Sequence, residues 1–392
     1  MKIAIVGAGP AGNFSAYLLS KLGHDVYVFE KDKEIGKPIQ CSGILSDYFL
    51  NFLEPKKEFV LNEVEKTRIY SPNGKFVDAK IKKNYVVCRY KFDNYLANLA
   101  KKENAKYFLE HSFKRYEKKK LVTAKNKKEK IDSKENLILY FNNKGKEVSF
   151  EADILIGADG PLSEVGKQSS LIIERKNFIG TQIQAYMKND NAVEFYPYIG
   201  CYAWIIPVNK NIIRIGVVNY KNSVSLFKEF ARKKLGDFEK KIIEYQSGII
   251  PVFNPNVKLQ TKDNKVFLLG DAATLVKATT GGGINQSLKA ATILYDCFKK
   301  NKLKDYEKEI KRKMFFELKA HLIAHNIMQK FNEKDWNELI EIFSNEKVKK
   351  ILYLESRDKI SKMLFKILKT KPSLLKYIKY FGLKELKILF SY

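Results

Sequence analysis

The sequence predicts an α/β protein (α+β overall): a unit built on a parallel sheet, a mostly antiparallel sheet inserted into it, and a helical C-terminal region. Three observations carry this. Glycine-rich turns stand at residues 7–12, 157–160 and 270–283, each directly after a short apolar run with the character of a buried strand. Between the second and third turns lie alternating, aromatic stretches split by Asn and Gly, the pattern of antiparallel strands. After about residue 300 the chain becomes basic and helical in its periodicity.

The opening run KIAIVG reads as a strand buried on both faces, and Ala11 to Leu22 reads as the helix that follows it. Gly7 permits the tight turn, Gly9 lets the backbone approach a pyrophosphate, and Gly12 lets helix and strand pack closely. Ala11 opens the helix, whose N-terminus offers free N–H groups and a positive dipole end to phosphates. A second strand, Asp25 to Phe29, ends at Glu30, an acid about 20 residues past the glycines and placed to bind ribose hydroxyls; Lys31 beside it is a further candidate contact. This Rossmann-type arrangement does not by itself separate NAD from FAD.

The later motifs do. DILIGADGPLSEVG carries Asp159 and Gly160, and VFLLGDAA delivers Asp271 directly after Gly270 at the end of a buried strand. Gly281, Gly282, Gly283 and Ile284 then open the helix GINQSLKAATILYDCF. The ordered set resembles the FAD-binding fold of the aromatic-hydroxylase type. The resemblance implies that the first motif holds the ADP part and that Asp159-Gly160 lies near the pyrophosphate and ribose. It also implies that Asp271 holds the ribityl chain and that Arg89, in VCRYKFDNYLANLA, lies near the cofactor. The N-terminus of the helix after Gly283 would face the pyrimidine end of the flavin, where its dipole favours negative charge. FAD is the expected cofactor.

On this reading residues 1–60, 90–165 and 262–300 form a discontinuous FAD-binding domain, with a helix near Asp93 to Lys102 and a strand from Phe150 to Gly157. Residues 61–89 and 171–261 form the substrate-binding sheet, with a strand-like stretch at Lys66 to Val77 and strands in ERKNFIGTQIQAYM, AVEFYPY, YAWIIPV and IIRIGVV. Residues 301–392 form the basic helical region, and the Lys-rich stretch Lys114 to Lys134 reads as a solvated hairpin or loop.

Two further patterns narrow the substrate. GKPIQCSG contains Cys41 and Gly43, and YAWIIP contains Tyr202, Trp204 and Pro207, with Gly216 downstream. Together with the triple glycine they resemble the geranylgeranyl reductase family, whose members carry PxxCxG and YxWxFP motifs and saturate isoprenoid double bonds in archaeal lipids and chlorophyll side chains. The resemblance covers roughly residues 1–300. It implies FAD-dependent reduction of geranylgeranyl chains on archaeal ether-lipid precursors, as in digeranylgeranylglycerophospholipid reductases, with Cys41 close to the flavin ring. Four features depart from the pattern: Ile206 stands for Phe, Gly216 is followed by Val217 and Val218 so that one glycine of an expected pair is lost, Thr274 stands for Gly, and Ala278 for Pro. These departures bear on cavity shape and preferred chain length.

An isolated alkene has no carbonyl to polarise, so its reduction needs a hydride on one carbon and a proton on the other. Positive charge that develops on the more substituted carbon is stabilised by aromatic faces, by about 1–2 kcal/mol in a dry site. Tyr202 and Trp204 are two residues apart, hence on one face of a strand. Cys41 either moves a proton, positions the alkene, or packs on the flavin as a small apolar group. Cys88, Cys201 and Cys297 flank apolar stretches and read as core, and the four cysteines form no CxxC pair. His321 and His325 are a helical i, i+4 pair without a third ligand nearby, so no metal site is expected.

A net charge of +28 fits an anionic membrane or nucleic acid, and equally the Lys, Asn and Ile bias of an AT-rich genome. The glycine motifs argue against nucleic acid as the primary partner. Residues 361–392 hold eight Lys and one acid, Glu385, with apolar residues such as Leu364, Ile367, Leu368, Leu374, Leu375 and Ile378 at helical spacing. This reads either as an amphipathic anchor for an anionic membrane face or as a cap packed on the body. No apolar run reaches the ~18 residues of a spanning helix, and Met1-Lys2 leads straight into the first strand. A cytoplasmic protein, peripheral on the inner membrane face, is the expectation. NAD(P)H or reduced ferredoxin is the expected electron donor, and an FAD-dependent monooxygenase or halogenase is the alternative enzyme reading.

Overall fold

The computed structural model describes residues 1–120, 135–172 and 174–391. At its centre is a five-stranded parallel sheet in the order Val266–Leu268, Ile154–Gly157, Lys2–Val6, Asp25–Phe29, Lys106–Phe108. Ile3, Ala4 and Ile5 of the middle strand are fully buried, which explains its unbroken apolar run. From this strand the chain moves outward to one side, then returns to fill the other. The reversal lies between Lys2–Val6 and Ile154–Gly157, and the crevice beyond their C-terminal ends is where such sheets bind ligands. Helix Pro10–Lys21 packs against helices Arg89–Lys102 and Ile284–Lys299.

A three-stranded antiparallel sheet, His111–Lys120, Glu135–Asn143 and Lys146–Ala152, packs on the parallel one. Its contact is aromatic: Phe29 stacks on Phe141 at 4.2 Å and meets the edge of Phe150 at 5.0 Å. The expected strand from Phe150 to Gly157 is therefore two strands in two sheets. Asp153 marks the break, where its carboxylate accepts the N–H of Lys2 at 2.8 Å. Of the Lys-rich stretch, residues 114–120 lie in a strand, and residues 121–134 are outside the described residues.

The second large sheet has eight strands, in the order Ile242–Pro251, Asn177–Tyr186, Ile212–Asn219, Tyr202–Asn209, Ala192–Tyr196, Val60–Tyr70, Phe76–Val87, Ile44–Leu45. All neighbours are antiparallel except Ala192–Tyr196 with Val60–Tyr70. The stretch expected as one strand, Lys66 to Val77, is a hairpin, because Ser-Pro-Asn-Gly at 71–74 turns the chain with Gly74 at φ 83°. Ile44–Leu45, expected in the parallel unit, pairs instead with Phe76–Val87, so the loop carrying Cys41 runs from one sheet into the other.

Beyond residue 300 the chain is helical. Five elements follow helix Phe316–Met328: Glu333–Phe343, Glu346–Leu354, Ile360–Thr370, the 3₁₀ turns Pro372–Tyr380, and Leu383–Phe390. Val348, Ile367, Leu374 and Tyr377 form a small core of their own, and Ile340 packs on Val77 and Ala79 of the large sheet. A buried ion pair fastens this region to the centre: Lys277 Nζ lies 2.6 Å from Asp358 Oδ1, and the Ser46 hydroxyl donates to Oδ2 at 2.5 Å. Burial opposes ionisation of Asp358, but Lys277, Ser46 and Arg357 outweigh it and hold its carboxyl down at about 2. Asp358→Asn leaves the lysine buried without a counter-charge and is expected to cost about 3–5 kcal/mol of stability, read from urea denaturation. A depressed folded pKa gives stability that is complete above the unfolded value. The gap between wild type and Asp358→Asn should therefore hold at neutral pH and shrink as pH falls from about 4 towards 2.

Candidate functional site

A cavity of about 620 Å³ opens at the C-terminal ends of the central strands and runs to the face of the eight-stranded sheet. All three glycine motifs, the Cys41 loop and the YAWIIP strand contribute to its lining. At the floor the backbone is packed as closely as glycine allows. Gly7 has φ 103°, and a Cβ there would lie 2.3 Å from Ala158 O; one at Gly12 would lie 1.9 Å from Gly7 O. Gly9 differs: its φ is −79°, and a Cβ would meet no protein atom within 4 Å. Gly160 likewise faces open space. No side chain caps the helix that begins at Pro10, so its N-terminal dipole end faces the cavity unmet.

The acids are arranged for different tasks. Glu30 is fixed at the end of its strand by the N–H of Ala8 at 2.7 Å and of Asp32 at 3.1 Å, and burial raises its pKa despite these bonds. Lys31 lines the cavity beside it. Asp159 is spent internally: it accepts the Ser163 hydroxyl at 2.5 Å and the N–H of Val165 at 3.0 Å. Asp271 is the opposite case. Among the described residues nothing hydrogen-bonds its carboxylate, and burial raises its pKa to about 6 against the pull of Arg89 and Arg175. An unmet carboxylate, two open glycine positions and an uncapped helix start in one cleft fit the hydroxyls and pyrophosphate of FAD.

Arg89 forks onto Asp93, at 3.1 and 2.8 Å. Burial works against its charge, but Asp93 and then Cys41 override this and raise its pKa. Cys41 lies in the lining, and its sulfur accepts the N–H of Gly43 at 3.3 Å. Ala11, Gly281, Gly283 and Ile284 line the cavity as well. Tyr202 and Trp204 share a face, with ring centroids 5.8 Å apart, and Phe195 stacks on Tyr202 at 5.8 Å. The Tyr202 hydroxyl closes on Gly281, where a Cβ would come within 2.4 Å of it. Ile206, at the position where the family pattern has Phe, is part of the wall.

Six expected residues stand behind the lining rather than in it. Gly12 seats the helix on the first turn, and Gly270 fits between Ala11 and Ser287. Gly282 gives room to the Lys277 side chain, and Gly43 to the Arg214 guanidinium. Gly216 leaves space for the Trp204 indole. Pro207 stands at a bulge near the end of its strand, with its carbonyl accepting from Asn62 at 2.9 Å. His321 and His325 serve the fold: they meet the hydroxyls of Thr279 at 2.7 Å and Tyr220 at 3.2 Å, and burial lowers them to about 3 and 4.

The sequence reading missed four polar residues here. Arg175 ties the second motif to the third, donating to the carbonyls of Pro161 and Ala272. Arg214 holds the Cys41 loop through Ser42 O at 2.8 Å and Val87 O at 3.0 Å. Gln182 and Gln246 are buried amides in the sheet wall. Arg175 lies outside any motif; of the other three, Arg214 alone was visible, as a charged residue inside the apolar run IIRIGVV. Gly9→Val is expected to preserve thermal stability of the apoprotein and abolish FAD binding, measured by melting and by flavin titration. Gly7→Val is expected to unfold it, because its Cβ falls on backbone.

Residues 1–300 match the family model of the FAD binding domain. The chain is 30% identical to the digeranylgeranylglycerophospholipid reductase of Methanococcus vannielii, covering 96% of this chain and 97% of that one. It is 29% identical to the enzyme of the same name from Methanocaldococcus jannaschii, with the same coverage. Among solved structures, a geranylgeranyl bacteriochlorophyll reductase-like protein of Thermoplasma acidophilum superposes with a TM-score of 0.79 at 23% identity, covering 96% of this chain and 98% of that one. The flavin-dependent halogenase CmlS shares the fold at a TM-score of 0.67 and 15% identity, over 96% of this chain and 78% of its own. With a family model over three quarters of its length and a relative of like length at 30% identity, the chain belongs to the geranylgeranyl reductase family of FAD-binding proteins.

Proposed function

We propose that this protein uses FAD to reduce the isoprenoid double bonds of geranylgeranyl chains on archaeal ether-lipid precursors. The observation that carries the reading is the continuity of the flavin-type cleft with a wall of Phe195, Tyr202, Trp204, Val193 and Ile206. When bound and reduced, FAD would supply the hydride for one alkene carbon. The chain's own residues do the rest. The aromatic faces of Tyr202 and Trp204 stabilise positive charge on the other carbon. Burial raises the Tyr202 pKa, so its hydroxyl stays neutral at Gly281. Arg89, charged and fixed by Asp93, stands beside Cys41. Cys41 then either passes the proton to the alkene, by way of water, or orients it. NAD(P)H or reduced ferredoxin supplies the electrons from outside. The fold shared with a halogenase gives no argument for oxygen chemistry, since it extends to the scaffold alone.

Reduced protein incubated without oxygen with a geranylgeranyl glycerophospholipid is expected to add two hydrogens per double bond, read by mass spectrometry. A requirement for oxygen would favour the monooxygenase or halogenase reading. Cys41→Ser is expected to keep its FAD and lose turnover by about 10²-fold; full turnover with normal flavin content would remove Cys41 from the chemistry.

The substrate's tails belong to a bilayer, and the C-terminal surface suits one. No helix among the described residues is long and apolar enough to cross a membrane. Phe365, Leu375, Ile378, Leu383, Leu389 and Phe390 are nonetheless exposed, the last at 71%. Glu385, the one acid of the segment, is withdrawn into the fold, where it accepts the N–H of Gly382 at 2.9 Å. In the same segment Lys387 is exposed and Lys371 half-buried. This favours peripheral binding to anionic lipid. The same segment contributes Ile367, Leu374 and Tyr377 to a core, so cap and anchor are compatible roles. Leu383→Glu with Phe390→Glu is expected to abolish co-sedimentation with anionic vesicles and leave the melting temperature unchanged.

A further inference from the structure

We propose that Gln182 is a positioning residue for Trp204, held by a one-way chain of hydrogen bonds that ends on Glu244. The proposal rests on the reading of the cavity as an isoprenoid site. Register creates the arrangement. Gln182 stands opposite Gly216 on one side, and Trp204 stands opposite Gly216 on the other. A Cβ at Gly216 would lie 2.3 Å from Trp204 Cζ2 and 3.0 Å from Gln182 Cβ. The missing side chain lets the indole lie across the middle strand and reach Gln182. Its Nε1–H donates to Gln182 Oε1 at 2.9 Å. The Gln182 amide N–H donates to Gln246 Oε1, at the matching register on the next strand. Gln246 Nε2 donates to Glu244 Oε2 at 2.8 Å, two residues along that strand on the same face.

Every donor in this chain points toward Glu244. The indole N–H only donates, and an ionised carboxylate only accepts. With those two ends fixed, both amides have one orientation. Gln182 and Gln246 are each 4% exposed, and burying two amides in a wall otherwise suited to apolar contact is costly unless they are bonded. A pair of leucines would pack there without that requirement. What the amides add is a fixed azimuth for the indole and polarisation of its N–H toward a carboxylate. Both make the ring face a better partner for positive charge on the alkene.

The test uses the FAD-loaded, full-length protein and a geranylgeranyl glycerophospholipid. Trp204 and Trp336 are the two tryptophans of the sequence, so a Trp336→Phe background makes indole emission report on Trp204. Gln182→Leu is expected to keep its FAD, shift the emission maximum, and lower kcat by about ten-fold with KM within about two-fold. Gln182→Glu, which still accepts the indole N–H but has no N–H for Gln246, should recover kcat to about the level of Glu244→Ala. Glu244→Ala, at an exposed position, should lower kcat by about three-fold. Wild-type kcat in Gln182→Leu or in Glu244→Ala overturns the proposal. If the wild-type protein leaves the lipid unreduced, the isoprenoid reading fails on its own. The emission maximum then decides the tether, and an unmoved maximum in Gln182→Leu overturns it.

Discussion

The contact between the first turn, the first helix and the second motif is the constraint on which this molecule depends. Gly7, Gly12 and Ala158 bring three pieces of backbone to distances that no Cβ would permit. That contact fixes the crevice between the strands Lys2–Val6 and Ile154–Gly157, where the chain's direction of winding reverses. Everything that lines the cleft is then placed by short connections from strand ends. Glu30 follows its strand by one residue, Asp159 by two, and Asp271 by three. The site is accurate because its residues hang on the rigid edge of a sheet rather than on long loops.

The wall opposite is built by a different rule. In the eight-stranded sheet, side chains alternate, so residues that share a face are set by pairing between strands distant in sequence. Gly216 is the device that makes this wall. By omitting a side chain in the middle strand it lets the indole from one neighbour touch the amide from the other. A one-residue slip of that pairing would send Tyr202 and Trp204 to the outer face. The Cys41 loop is secured to the same sheet by Arg214 and by pairing of Ile44–Leu45. The cysteine and the aromatic wall therefore move as one body.

This difference explains what was legible in the sequence. Gly7, Gly9, Glu30 and Asp271 were readable as positions in the cleft because what marks them is local: a turn, a close approach and an acid at a strand end each leave a mark within a few residues. Tyr202 and Trp204 were readable as a pair because two-residue spacing is a strand's own period. Gln182 and Gln246 were not, because their partnership exists only after the register Gln182 to Gln246 is set. Gly12, Gly43, Gly216, Gly270 and Gly282 were seen as site residues although their work is to make room behind the site; a motif marks where small residues are needed, not which side of the wall they serve. The three-stranded sheet escaped notice because Asp153 sits inside what reads as one continuous strand.

The electrostatics of the cleft give the fold a stake in its ligand. Arg175 and Arg214 are held largely by carbonyl oxygens, and the Nε of each is buried without a partner. Burial lowers the pKa of both, the mark of charge kept where water cannot reach it. Arg89 is ion-paired with Asp93, and Lys277 with Asp358. Arg175 and Arg214 thus stand desolvated, with only part of that cost offset by the protein's own groups. A ligand that binds the folded state alone adds stability in proportion to the logarithm of its concentration over its dissociation constant. FAD bound to the folded state would add stability in this way, and the N-terminus of helix Ile284–Lys299 favours negative charge on a reduced ring placed against it.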